Sequence, residues 1–178
     1  MNDAMNILIA GYGGQGILFS GKVIAYAGLI DEKEITWLPS YGPEMRGGSS
    51  SCTICLSNEP IASPYIQHPD YFIAMNQLAF NKFFSMVEKD GIVIYDSAII
   101  NGAADRNDIR IHGIEAVTLA EENGLKGLAN MVMAGKLFKE APFSTFASLE
   151  KAVEKCVPEG RTQLIDLNMK AIHLGIEN

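Results

Sequence analysis

The chain's strongest constraint is a short apolar run, Ile7-Leu8-Ile9-Ala10, that breaks into Gly11-Tyr12-Gly13-Gly14-Gln15-Gly16 and resumes as the helix-like Ile17-Leu18-Phe19. Such a run, cut off by glycines and followed by helical periodicity, predicts a strand, a tight turn and a helix. Glycines at Gly11, Gly13 and Gly16 allow the turn itself, close approach of a bound group to the backbone, and close packing of helix on strand. Free N–H groups at the helix start attract an anion, which makes Gly11, Gly13, Gly14, Gln15 and Gly16 the candidate cofactor-binding residues. The spacing is that of the dinucleotide fingerprint, although the same glycines also serve β-turn-α units that bind nothing.

A dinucleotide site also needs an acid at the tip of the second strand, about 20 residues on, to hold the ribose hydroxyls. The second strand is expected at Glu34-Ile35-Thr36-Trp37-Leu38, running into a loop from Pro39 with no acid at its tip. Asp31 and Glu32 precede the strand and fall at its other end. A free-standing nicotinamide dehydrogenase is therefore disfavoured.

With 178 residues, of which 48% are hydrophobic, the chain is expected to form a single domain over 1–178 with a substantial core. The net charge of −7 and the scattered basic residues argue against nucleic acid as a partner. The start, Met1-Asn2-Asp3-Ala4-Met5, has no cationic leader, and no apolar stretch approaches the roughly 20 residues that span a bilayer. A cytoplasmic protein without membrane contact is expected. Cys52, Cys55 and Cys156 are too few for a disulfide framework, and Cys52 and Cys55, three apart on an expected strand, point to opposite faces. They are read as buried packing residues. His68, His112 and His173 are dispersed and receive no role, and no metal site or catalytic set is expected.

The segment Pro39-Ser40-Tyr41-Gly42-Pro43-Glu44-Met45-Arg46-Gly47-Gly48 is the most unusual in the chain, because stiff prolines and permissive glycines enclose an acid, a thioether and a guanidinium. Loops at the carboxyl ends of strands line the ligand crevice of an open α/β sheet, so Tyr41, Gly42, Pro43, Glu44, Met45, Arg46 and Gly47 are candidate contacts for substrate or a neighbouring subunit. A rigid turn carrying a surface arginine is the competing explanation. Ser49 to Leu56 follows too closely for a crossover helix and is expected to pair antiparallel. Strands are expected at Tyr71–Met75, Gly91–Asp96 and Ile109–His112, and helices at 17–30, 78–87, 114–123, 128–139, 144–157 and 161–175. Asn76, at the end of a strand, is placed either as a helix cap or facing the crevice. The resulting fold class is a single-domain, Rossmann-like, three-layer α/β fold whose mostly parallel sheet carries an antiparallel hairpin.

Gly11 to Ile17, together with Trp37-Leu38-Pro39-Ser40-Tyr41 and Gly42 to Gly48, resembles the gamma subunit of 2-oxoacid:ferredoxin oxidoreductases. The likeness continues through Ser51-Cys52, Pro69-Asp70, Ala74-Met75-Asn76-Gln77, Ile94-Tyr95-Asp96-Ser97 and Ala129-Asn130-Met131-Val132. The form Gly42-Pro43-Glu44-Met45-Arg46-Gly47-Gly48 is closer to the 2-oxoglutarate type than to the pyruvate type. The resemblance implies an accessory subunit of a thiamine-diphosphate enzyme that turns a 2-oxoacid into acyl-CoA and passes electrons through iron–sulfur clusters to ferredoxin. It also implies that alpha and beta subunits, and often a ferredoxin-like delta subunit, carry the thiamine diphosphate, magnesium, clusters and coenzyme A. This chain has no Gly-Asp-Gly thiamine motif, and its three cysteines cannot hold a four-cysteine cluster. The isolated chain is therefore expected to be inactive. A stand-alone phosphate- or nucleotide-binding module remains the other reading.

Overall fold

The computed structural model describes residues 4–41, 49–101 and 106–178. Six strands form one sheet: β1 Met5–Tyr12, β2 Glu34–Tyr41, β3 Ser49–Ser57, β4 Tyr71–Ala74, β5 Ile92–Asp96 and β6 Arg110–Ile114, in the order β2-β3-β1-β4-β5-β6. β1, β4, β5 and β6 run parallel, and β3 lies antiparallel to both β2 and β1. The helices are α1 Ile17–Ile30, α2 Gln77–Phe83, α3 Ala116–Glu122, α4 Ala129–Glu140, α5 Phe146–Cys156 and α6 Gln163–Glu177.

Alternation along the strands divides the core in two. Ile7, Ile9, Ile54, Ile73, Ile92 and Ile94 face α1, α3, α4, α5 and α6, whereas Leu8, Ala10, Phe72, Ala74 and Val93 meet α2 through Ala79 and Phe80. Both faces of β1, β4 and β5 are covered, which explains why these strands read as continuous apolar runs. Each fully buried isoleucine contributes roughly 1.5–3 kcal/mol. The expected glycine face of the first helix is present: a Cβ at Gly21 would overlap Cys52 Sγ, and one at Gly28 would approach Leu56 Cδ2 to 2.7 Å.

Several boundaries differ from expectation. Pro39, Ser40 and Tyr41 belong to β2, not to a loop. Proline cannot donate to a ladder, yet β2 is the sheet's outermost strand and pairs on one side only, so the missing donor is tolerated. The helix expected to reach Val87 stops at Phe83 and tightens into a 3-10 turn over Phe84–Met86. The last strand extends through Ile114, taking a residue from the following helix; Gly113 fits there because its missing Cβ leaves room for Tyr95 Oη, 2.9 Å from that position.

Three buried cysteines are free, as expected of packing residues. Burial pushes the Cys52 thiol up to about 12 and the Cys156 thiol up to about 11, and it also raises Cys55, beside the Asp70 carboxylate. Metal binding requires thiolates, whereas Cys52 is held as a buried thiol that donates to Ile17 O at 3.6 Å. Among the described residues, no three His, Cys, Asp or Glu side chains gather into a metal site, and no helix is long and apolar enough to cross a membrane.

Candidate functional site

The sheet register brings the chain's punctuated segments to one edge. Tyr12 pairs with Ser49 and Tyr41 with Ser50, so the glycine turn, the exit of β2 and the entry of β3 lie together. β4 ends alongside, with Met75 N donating to Ala10 O, and Asn76 follows. Gly42, Pro43, Glu44, Met45, Arg46 and Gly47 lie outside the described residues, as does the side chain of Tyr41. What the described residues establish is that both stems of that segment stand at the carboxyl edge of the sheet.

The turn is held from within. Gln15 Oε1 accepts from Tyr12 N at 2.6 Å while Gln15 Nε2 donates to Met75 O at 2.8 Å, so one amide ties the end of β1 to the end of β4. Gly11 leaves room for this side chain, since a Cβ there would overlap Gln15 Oε1. Gly14 and Gly16 take φ values of 97° and 76°, a left-handed backbone that favours glycine. Gln15 thus shapes the turn with both ends of its amide, and the groups left for a ligand are backbone ones. Among the described residues, the Gly13, Gly14 and Gly16 N–H groups make no hydrogen bond. Gly16 caps α1 without a side-chain bond, and the first turn of this helix contains no acid to offset its positive end.

Two buried amides flank the turn. Asn76 caps α2, its Oδ1 accepting from Ala79 N at 2.7 Å, while its Nδ2 has no partner among the described residues. Asn130, at the start of α4, donates from Nδ2 to Gly16 O at 3.0 Å, and its Oδ1 has no partner among the described residues. The contact joins residues 114 apart in sequence. In the sequence Asn130 stands within the resembling Ala129-Asn130-Met131-Val132 with no role assigned to it.

Other residues of the recognised pattern secure the frame. Asp70 Oδ2 accepts from both nitrogens of Asn6, at 2.9 Å and 3.0 Å, joining the amino ends of β1 and β4. Asp96 is fully buried, and its carboxylate accepts from Ala98 N and Val117 N at 3.0 Å each. Burial raises its proton affinity and these N–H groups partly offset the rise. The acid at the tip of β5 is therefore occupied in starting α3. The dinucleotide pattern is broken as well: β2 carries no acid at its tip, and β3 separates it from β1.

A glycine turn with unbonded amides at the carboxyl edge of a parallel core, widened by one antiparallel strand, defines an α/β protein with a mixed sheet. The family model for pyruvate ferredoxin/flavodoxin oxidoreductase matches residues 6–178, and the chain belongs to that family. It is 33% identical over 174 residues to the 2-oxoglutarate synthase subunit KorC of Methanocaldococcus jannaschii, an alignment covering 96% of this chain and 91% of that one. It is likewise 33% identical over 173 residues to the ketoisovalerate oxidoreductase subunit VorA of Methanothermobacter marburgensis, but spans only 36% of that relative's length. Among solved structures, the keto/oxoacid ferredoxin oxidoreductase gamma subunit of Geobacter sulfurreducens superposes with a TM-score of 0.85 at 28% identity, covering 98% of this chain and 95% of that one.

Proposed function

We propose that the chain is the accessory gamma subunit of a thiamine-diphosphate-dependent 2-oxoacid:ferredoxin oxidoreductase in the cytoplasm, acting on 2-oxoglutarate. The observation that carries this reading is the match to KorC along nearly the whole of both chains. The form of Gly42 to Gly48 supports the same substrate. Alpha and beta subunits, with or without a ferredoxin-like delta subunit, supply thiamine diphosphate, magnesium, clusters and coenzyme A. Among the described residues, this chain's three cysteines gather no further metal-ligating side chains around them. Its share is to complete the pocket, with the Gly13, Gly14 and Gly16 amides and Arg46 receiving an anionic group.

A branched-chain 2-oxoacid is the second reading, favoured by the equal identity to VorA. Affinity capture of the tagged chain from its own cells, followed by assays on 2-oxoglutarate, 2-oxoisovalerate and pyruvate, tests all of this. The expected result is co-capture of thiamine- and cluster-binding subunits, activity highest with 2-oxoglutarate, and no activity from the chain alone. Highest activity with 2-oxoisovalerate selects the second reading. Recovery of the chain free of partners returns it to a stand-alone binding module.

A further inference from the structure

The open amides of the glycine turn define one half of a binding site, and the buried amide of Asn130 defines the other. Asn130 is 4% exposed, and its orientation is fixed chemically: Nδ2 must face the Gly16 carbonyl, because the flipped amide would set oxygen against oxygen. Oδ1 is thereby held at the helix start, 3.2 Å from where a Cβ of Gly16 would stand, with no donor among the described residues to satisfy it. An orphaned buried acceptor costs about 1–3 kcal/mol, so a group that pairs with it gains a corresponding advantage. At the same turn, the N–H groups of Gly13, Gly14 and Gly16 make no hydrogen bond among the described residues, and the first turn of α1 holds no acid to offset its positive end. On the far side of the turn, Asn76 Nδ2 is a further donor without a partner among the described residues, one residue beyond the Met75 carbonyl that Gln15 holds.

We propose that this end of α1 is a site for an oxyanion that carries a hydrogen-bond donor on or beside it, with the glycine amides receiving the charge and Asn130 Oδ1 receiving the proton. The proposal rests on the reading that the turn meets an anionic group, and it adds which oxyanions are accepted. A bare dianion presents oxygen to Oδ1 and leaves it unpaired, whereas a protonated phosphate, or a phosphate with a neighbouring hydroxyl, satisfies both halves.

Inorganic phosphate and sulfate separate these cases, since at about pH 7 phosphate keeps at least one proton and sulfate keeps none. Titration of the full chain, followed by amide NMR, is expected to shift the Gly13, Gly14 and Gly16 resonances at phosphate concentrations about tenfold below those needed for sulfate. Asn130→Ala is expected to bring the two affinities within about twofold of each other. If that variant does not fold, the ratio measured on the unaltered chain decides. Glycerol 3-phosphate distinguishes the sources: tighter binding than inorganic phosphate assigns the phosphate end of a larger ligand, and weaker binding assigns the free ion. Equal or tighter sulfate binding, or no saturable shift at these glycines with any probe, overturns the proposal. The subunit reading is untouched by that result, because it stands on partner capture.

Discussion

At the scale of single residues, polar side chains in this protein mostly hold backbone ends in place. Asp31, just past α1, shows this most fully. Its carboxylate accepts from Thr145 N at 2.6 Å, from Thr145 Oγ1 at 3.1 Å and from Ser148 Oγ, so an acid at the end of one helix secures the start of α5. Burial works to raise its pKa, but the bonds from Ser148 and Thr145 and the charge of Lys33 outweigh it and hold the group below its ordinary value. A depressed carboxylate stabilises the fold above its unfolded pKa of about 3.9 and loses that contribution as pH falls through the folded value. Asp31→Asn should therefore lower the melting temperature at neutral pH, with the gap to the unaltered protein constant down to about pH 4 and closing below it. A gap that persists unchanged into strong acid would show that the charge is irrelevant. Gln15→Glu should cost about 1–3 kcal/mol in a denaturant melt, because it sets a carboxylate oxygen against Met75 O. The sequence made Gln15 part of a motif but did not disclose this bond, whose acceptor lies 60 residues away.

At the scale of elements, the closest packing is between α4 and α6. A Cβ at Gly135 would overlap the Ile172 carbonyl, and one at Gly175 would overlap the Val132 carbonyl, so each helix passes its backbone through a gap in the other. Gly175→Ala should destabilise by about 1–3 kcal/mol through overpacking, although alanine is the better helix former. Chemical denaturation measures this directly, and a neutral or stabilising outcome would mean that the helices can separate without loss. Periodicity made the helices legible, and α1 runs over the expected Ile17–Ile30. The end of β2 was not legible, since proline signals a loop unless the strand's place at the sheet edge is known. That place depends on β3 inserting between β2 and β1, a long-range arrangement that no local pattern encodes.

For the whole molecule, the sequence correctly placed the glycine turn, the exit of β2 and Asn76 at one edge, because strand ends and turn chemistry are local properties. It set Asn130 within the resembling Ala129-Asn130-Met131-Val132 but not at this edge, which Asn130 reaches through the packing of α4 on α1. Arg46 carries the prediction at this scale. Its fork can grip a carboxylate or phosphate with two parallel bonds that lysine cannot reproduce, so Arg46→Lys in the assembled complex should lower turnover at least about tenfold with assembly intact. Impaired assembly with full activity per assembled complex would make Arg46 a structural residue. The interlock of α4 with α6 also bears on how the chain is made. While the ribosome is still adding residues beyond Gly160, the helix that lies over the glycine turn has been synthesised but lacks the surface it closes on. Until Gln163–Glu177 has folded back, the apolar side of α4 has no surface to close on, so a chain cut before α6 is expected to present an uncovered helix on a finished sheet.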